Sequence, residues 1–575
     1  MLGRGDLLQA FDASAAALDG GATHARLKYL QVLALARLGE TTRARSAYTA
    51  FGLAEGTDVD SIALGARIAK DEALRAPPKV RERLLCNAAD AYDLVFKRTG
   101  ATYPGINAAS LALLAGDRPR ATALAEAVLQ HPDLDTGNSY YPAATAAEAL
   151  LLLGRIDEAE AALRRATKYA DANPGARSTT FRQLNLLEQA LGPAIMHGRS
   201  LAQIVQPAHV VAYCGHMFRA DAATERRIRQ EVDRVLADNG TEIAFGSLAC
   251  GADIVIAEAV LARGGQLNVV MPFLREDFVR QSVAPGGNAW IGRFEACLAA
   301  AAEVTVATET PYAADDAQYA YCAQLLMGQA LLRAANLGTN AIQLAVSAGG
   351  KGNASAGTLA DIAQWRTRGG QTIVIEPGDI DRNLDVAAPP TRTNVPKRAV
   401  RAMIFTDFAG FSKLSEAALP FFWENVMGRV APVLEQHGDA VCSRNSWGDA
   451  LFAVTATAKA AASIAVGLQA ELAAVSHPEF SEGAGMRISA HLGPVYEAAD
   501  PVTGRTTFYG CEVNRTARIE PVTPVGQIYV TGSFGAVLAM EAPDQYELSY
   551  VGRVKLAKAF GELPMYRLSS LSTVP

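Results

Sequence analysis

Three stretches in the first 200 residues carry one hydrophobic pattern. Leu30 to Tyr48, Ile106 to Leu124 and Ala144 to Leu163 each run an apolar helix into a glycine (Gly39, Gly116, Gly154). A short polar turn follows, then a second helix with small residues on its inner face. Strand signals are few here, so 1–200 is expected to be an all-α repeat region. From about 205 the pattern changes. Val210–Tyr213, Glu242–Phe245, Leu267–Met271, Val304–Ala307, Ile342–Val346 and Thr372–Ile375 are short apolar strand candidates, with helices such as Ala222 to Asn239 and Ile254 to Arg263 between them. That alternation predicts a parallel, doubly wound α/β sheet over 205–380. Glu376 to Pro396 holds four prolines and several Asp, Asn and Thr residues, and 381–396 is expected to be an exposed linker. Beyond it, 397–570 is expected to be α+β. Strands are predicted at Ala402–Phe405, Ala440–Ser446, Ala450–Val454, Gln527–Thr531, Tyr546–Val551 and Met565–Leu568. A hairpin, Met486–His491 with Val495–Glu497, turns around Gly493-Pro494, and helices cover Leu419 to His437 and Thr457 to Val475.

Composition narrows the class. A chain of 575 residues is too long for one core, and 50% hydrophobic with 19% charged residues describes globular domains. A net charge of −6 without a basic stripe argues against nucleic-acid binding. The seven cysteines form no C-x-x-C pair, so they are expected to be reduced core residues of a cytoplasmic protein. No uncharged apolar run reaches the roughly 18 residues that span a bilayer, and the start lacks a signal-peptide core, so no membrane role is expected.

The chemistry concentrates near the C-terminus. RAMIFTDFAGFSKL, 401–414, ends an apolar run at Asp407 before the turn-former Gly410. In SWGDALF, 446–452, Trp447-Gly448-Asp449 has the form of a tight hairpin turn. A strand end beside a hairpin tip can hold Asp407 and Asp449 together. Two converging carboxylates repel unless a divalent cation, with phosphate oxygens completing its shell, sits between them. Downstream, FYGCEVNRTARIE, 508–520, turns helical after Gly510 and places Asn514 and Arg518 at i and i+4 on one face. An amide and a guanidinium aimed together suit an oxygen that gains charge in a transition state.

These three motifs, in this order and over Lys397 to Leu568, resemble a class III adenylate/guanylate cyclase catalytic domain with its ferredoxin-like sheet. The resemblance implies attack of the ribose 3′-hydroxyl of a nucleoside triphosphate on the α-phosphate, with release of pyrophosphate. It assigns two Mg2+ or Mn2+ ions to Asp407 and Asp449, with the Phe405 carbonyl or its neighbour as an extra ligand. Asn514 orients the ribose, and Arg518 stabilises the developing charge. The site lies across a homodimer interface, the aspartates from one subunit and the Asn/Arg helix from the other. Phe405, Gly410, Phe411, Asn445, Thr507 and Lys558 complete the expected substrate contacts. Asn445 and Thr507 stand where the family places its base-selecting residues and match neither the adenylate nor the guanylate pattern. ATP is favoured and GTP next, but the base stays open, pyrimidines included. Lys558 stands near the position of a triphosphate-binding lysine or is a solvated surface lysine. The departures at Asn445 and Thr507 leave a rival reading, a pseudo-cyclase that binds nucleotide and dimerises without turnover.

Upstream, the predicted strand ends carry Gly215-His216, Gly246-Ser247, Gly251-Ala252-Asp253, Pro272-Phe273 and Gly349-Gly350-Lys351-Gly352, the edge where such sheets bind ligands. G-S-x-x-x-G-A-D resembles the SLOG and lysine-decarboxylase-like Rossmannoid families, which implies a nucleotide-type ligand. His216 is a ligand contact or a turn histidine, and Asp253 a ligand group or a helix cap. Glu258 is the candidate carboxylate if this domain itself cleaves a nucleotide. The helical segments, with a step of 38 residues from Gly116 to Gly154, resemble tetratricopeptide repeats, whose period is about 34. Tyr103 to Asn107 resembles a TRAF-binding-type region of signalling kinases. Both imply a concave surface for a protein partner.

Overall fold

The computed structural model describes residues 1–571 apart from Thr57, 135–138, Ala220, 350–354, Asp385, 387–395, Lys397 and 481–484. Two compact units divide it: 1–208 with 336–339, and the remainder. The first unit is helical. In each of the three patterned stretches a helix (Ala25–Arg37, Thr102–Leu114, Tyr140–Leu152) runs into its glycine, and a second helix follows (Thr41–Ala50, Arg118–Leu129, Ile156–Ala166). The glycines have φ of +83°, +86° and +74°, and the three ends are built alike. The glycine N–H bonds the carbonyl three residues back, and the next N–H reaches five back, as in Glu40 to Leu35, Asp117 to Ala112 and Arg155 to Leu150. A left-handed residue closed by those two bonds stops a helix and reverses the chain, so glycine is the natural occupant.

The second unit holds two sheets. The first contains β1 (Val210–Gly215), β2 (Ile243–Gly246), β3 (Gln266–Met271), β4 (Glu303–Val306), β5 (Ala341–Val346) and β6 (Thr372–Ile375). All pairings are parallel, in the order β4-β3-β2-β1-β5-β6. The strand order reverses between β1 and β5, which opens a crevice at their carboxyl ends. The sheet's core includes the fully buried Val211, Leu248, Phe273 and Trp290.

The other sheet contains β7 (Arg398–Ala409), β8 (Val441–Trp447), β9 (Ala450–Thr455), β10 (Gly485–Ala499), β11 (Thr506–Tyr509), β12 (Ile528–Thr531), β13 (Tyr546–Lys555) and β14 (Glu562–Ser570). Its order is β13-β14-β12-β10-β7-β9-β8, with β11 on β10. Period-2 alternation explains its two faces. Ala402, Ile404 and Phe408 of β7 are buried, and the Phe408 ring meets Phe422, 5.0 Å between centroids. Met403 and Phe405 face the other way into a cluster with Phe452, Val495 and Phe508. Asp407 continues that second row.

Several expectations need correction. The hairpin around Gly493-Pro494 is absent, because β10 runs unbroken through both residues. Pro494 lies in the gap between the segment of β10 paired with β12 (488–490) and that paired with β11 (496–499), so its missing N–H costs no ladder bond on that side. Asp407 does not end its strand, which continues to Ala409. The helix expected over 419–437 is interrupted by a π-helical turn at Trp423–Met427. Cys511 is exposed and Cys86 and Cys442 half-buried, whereas Cys214, Cys250, Cys297 and Cys322 are buried, and all seven are free thiols. Gly350, Lys351 and Gly352 lie outside the described residues, as does most of the expected linker.

Candidate functional site

The hairpin tip Gly448-Asp449 joins β8 to β9, and β9 pairs with β7 from Ala402 to Thr406. That pairing brings the tip to the end of β7. The Phe408 N–H donates to Asp449 Oδ2 at 3.3 Å. Burial, and then the charge of neighbouring Asp407, raise the Asp449 pKa above the usual carboxylate range. Two residues that sequence reading passed over complete the cluster. Arg487 of β10 stands opposite Asp407 in register, its guanidinium 4.0 Å from Asp407 and 3.5 Å from Glu520. Glu520, just past the Asn/Arg helix, is pushed up to about 7 by burial and by the two aspartates, against the pull of Arg487. Both residues lay within segments already assigned, Met486–His491 and 508–520; only the β7–β10 register shows that they converge.

Asp407 and Asp449 fit a divalent cation: their repulsion is under-compensated by a single guanidinium, and a doubly charged ion would relieve it. Among the described residues no group of three or more His, Cys, Asp or Glu side chains could hold an ion unaided. An ion held by this pair would need other oxygens to complete its shell.

The helix Cys511–Ile519 buries Glu512, Thr516 and Ile519. Asn514 and Arg518 lie off that stripe, Asn514 exposed and Arg518 half-buried. Phe405 stacks on Phe452, 4.5 Å between centroids, and its carbonyl accepts from the Ser489 hydroxyl at 3.3 Å. Gly410, at φ +99°, starts the short turn that carries Phe411, whose ring packs on Phe422. Asn445 is exposed on β8 and Thr507 half-buried on β11. The two strands adjoin, since the Ser443 hydroxyl donates to the Thr506 carbonyl at 3.2 Å. Lys558 is exposed with φ +60°.

The crevice of the parallel sheet is a cavity of about 620 Å³. Gly215, His216, Ser247 and Asp253 line it; Gly246, Gly251 and Ala252 shape the turns behind them. Asp253 does not cap its helix. Gly251 does, and Asp253 sits inside the first turn. Its Oδ2 accepts from the Ala249 N–H at 3.3 Å, while its buried Oδ1 has no hydrogen-bond partner. Asp361, from the helix Thr358–Thr367, shares the cavity. Burial raises both acids to about 7, and the charge of Asp253 adds to the rise at Asp361. His216 is held down to about 4 by burial and by Arg382. Its Nδ1 accepts from the Ala348 N–H at 3.2 Å, so it acts partly as a turn histidine. Glu258 is taken by Arg293, both its oxygens 2.8 Å from the guanidinium. Arg382, Leu384 and Val386 of the expected linker line the cavity, so this part of it is no free tether.

One helix serves both sheets. Tyr319, Cys322, Ala323 and Leu326 of Asp316–Leu337 line the cavity at spacings of three and four. Tyr321 and Gly328 lie on another side. A Cβ at Gly328 would come within 2.1 Å of the Ala536 carbonyl, so the chain passes there at backbone contact. The buried Tyr321 hydroxyl lies beside Ser533. From there Ser533 meets Thr531 at 3.0 Å, Thr531 meets His491 Nδ1 at 2.8 Å, and His491 Nε2 meets Glu512 at 2.7 Å. Burial keeps His491 neutral; the imidazole and Arg515, 3.2 Å away, keep Glu512 ionised. The chain of bonds ends on the helix that carries Asn514 and Arg518.

The second unit thus joins a sheet bearing a carboxylate pair to a doubly wound domain. The family described as Adenylate and Guanylate cyclase catalytic domain matches residues 396–570. The family described as Tetratricopeptide Repeats-Sensor matches 6–114. The chain therefore carries a sensor-type tetratricopeptide region near its N-terminus and a nucleotidyl cyclase catalytic domain at its C-terminus. Among solved structures it is similar to the guanylate cyclase domain of a protein from Catenaria anguillulae in complex with GTP (18% identity, 30% of this chain and 96% of that one, TM-score 0.26). It is also similar to adenylate cyclases of Trypanosoma brucei in their monomeric state (20%, 30% and 89%, 0.27) and to an adenylyl cyclase of P. aeruginosa (16%, 31% and 98%, 0.26). No curated protein matches. No described helix is long and apolar enough to cross a membrane.

Proposed function

We propose that this chain converts a nucleoside triphosphate, ATP first and GTP next, to a 3′,5′-cyclic nucleotide and pyrophosphate. The observation that carries the reading is the Asp407–Asp449 pair, with Arg487 and Glu520 at its border. Two Mg2+ or Mn2+ ions held by these aspartates would supply an acidified 3′-hydroxyl and charge neutralisation at the triphosphate. Arg487 lies where a phosphate chain reaching the aspartates would pass, and it draws anionic oxygens toward them. Asn514 hydrogen-bonds the ribose, and Arg518 takes up charge on the α-phosphate as the new bond forms. These two sit on the open side of their helix, which suits presentation to the carboxylates of a second copy. Trp447 at the hairpin tip, 57% exposed, and Tyr509 before the helix, 44% exposed, are apolar surface for the same homodimer. Asn445 and Thr507, on adjoining strands, would select the base.

Regulation follows the shared helix. A nucleotide-type ligand in the 620 Å³ cavity, of the kind SLOG-like domains bind, would press on Tyr319 and Leu326 and so shift Tyr321 and Gly328 against the cyclase sheet. The repeats are read as the contact for a protein partner. The test is a product assay on the full chain with Mg2+ or Mn2+ and each of ATP, GTP, CTP and UTP, read by mass. One cyclic monophosphate, lost in Asp407→Ala, is the expected result. No product from any of the four, with the isolated 396–571 segment also silent, would overturn it in favour of a nucleotide-binding dimeriser.

A further inference from the structure

The helical unit holds a second cavity, of about 340 Å³, between its repeat helices. Five cations, Arg37, Arg67, Lys70, Arg75 and Arg182, line it against two acids, Asp71 and Glu148. Most of these charges are matched to neutral oxygens. Lys70 donates to the amide oxygens of Asn107, at 2.9 Å, and Gln183. Arg75 donates to the Gly39 carbonyl and the Thr41 hydroxyl, and Arg37 to the Leu2 carbonyl at 3.2 Å. Arg67 and Asp71 stand 3.7 Å apart, and Arg67 Nε and Asp71 Oδ2 are both buried without a hydrogen bond. Glu148 is occupied by Ser110 and Gln183, and burial raises its proton affinity, which weakens it as a counter-charge.

Buried cations in proteins normally find carboxylates, because an uncompensated charge away from water is costly. Here the crowding is visible. Burial and neighbouring Arg67 draw Lys70 down to about 8, and burial with Arg67 and Arg37 lowers Arg182, whereas against burial Asp71 holds Arg67 up. A cluster of cations facing a cavity of metabolite size, short of anions, is complementary to a bound anion. We infer that this cavity is a binding site for a small phosphorylated metabolite, its phosphate between Arg67, Lys70 and Arg75. The half-exposed Tyr103 ring, set edge-to-face on Tyr92 at 6.1 Å, would border the organic part. The site is separate from the cyclase reading and stands or falls without it.

The experiment is calorimetric titration of the full chain with inorganic phosphate, ribose 5-phosphate and AMP, in the Asp407→Ala background so that metal-dependent nucleotide binding at the cyclase sheet is disabled. At least one probe should bind, at least tenfold more weakly when salt rises from 50 to 500 mM, as about one Debye length of screening shrinks to a third. Arg67→Gln should abolish the heat. Arg75→Gln, an exposed position whose loss leaves the core intact, should weaken it by about tenfold, the scale of one charge-assisted bond. Hydrogen exchange on adding the probe should slow in the helix Val59–Arg75. No heat with any of the three probes, or heat unchanged by Arg75→Gln, or protection confined to 209–571, would overturn the assignment.

Discussion

Two places in the second unit bring carboxylates together, and they are built on opposite principles. At the cyclase sheet, Asp407 near the end of β7 and Asp449 at a hairpin tip come together, partly open, with Arg487 beside them. In the parallel sheet, Asp253 and Asp361 share a crevice whose wall includes Arg382, which bears on His216. In the first arrangement burial and the charge of Asp407 raise Asp449, a repulsion that a bound cation would relieve. The second lets burial protonate them near neutrality, so they can donate as well as accept hydrogen bonds. On the proposed reading, the same residue type would serve metal chemistry in one place and recognition of a polar ligand in the other, with solvent access deciding which.

The sharpest break of this contrast is Asp449→Ala. If the open pair holds the ions, the cyclic product should fall by at least a thousandfold, about 4 kcal/mol of transition-state stabilisation, with the fold intact by circular dichroism. Asp253→Ala should leave the basal rate within about threefold, because a recognition carboxylate contributes nothing to the chemical step. Equal losses in both variants would erase the distinction.

The next effect is on stability. Asp253 rises from its ordinary 3.8 to about 7 in the folded chain. The folded protein therefore keeps a proton that the unfolded chain has already released. Its contribution to stability is greatest below pH 3.8 and is lost as pH climbs to about 7. Asp253→Asn removes that loss, so the variant should be more stable than the parent by about 2–4 kcal/mol at pH 8 and about equal at pH 4. Denaturant midpoints at the two pH values check it; a difference of the opposite sign would show the acid to be ionised when folded.

The two places also differ in how much of each could be read beforehand. The Asp407–Asp449 pairing was readable because both aspartates sit in local motifs, the last residues of a strand and a two-residue hairpin, whose geometry short spacing dictates, although the strand runs two residues past Asp407. Arg487 and Glu520 were not, since their convergence depends on the β7–β10 register across some 80 residues of chain. In the parallel sheet every strand was found within two residues, as apolar runs bounded by glycines allow. Asp361 was invisible, because nothing local marks a helix residue that tertiary packing turns toward another strand's end. The false hairpin at Gly493-Pro494 came from weighing turn-forming residues without knowing that β10 has a gap in its pairing there.

Gly328→Leu tests the joint between the two places. Its side chain must displace the Ala536 backbone, an overpacking cost of about 1–3 kcal/mol, and calorimetry should show the melting temperature falling by several degrees. Gly292→Ala, at a helical glycine with open space around its Cβ, is the matched control and should change little.

The smallest effect is the most specific. Tyr321→Phe removes one hydroxyl from the buried chain that runs through Ser533, Thr531 and His491 to Glu512. Ser533 keeps Thr531 as a partner, so stability should drop by only about 1 kcal/mol. If the chain merely braces the core, Tyr321→Phe and Ser549→Ala, a buried hydroxyl elsewhere in the same sheet, should leave the cyclase rate alike. If it holds the helix bearing Asn514 and Arg518 in place, Tyr321→Phe alone should lower kcat, by about threefold to tenfold, with KM for the metal unchanged, because the aspartates are untouched while the groups facing the ribose lose their anchor. A fall in metal affinity instead would mean that the bond chain reaches the carboxylates, and the two clusters would then be one site rather than two.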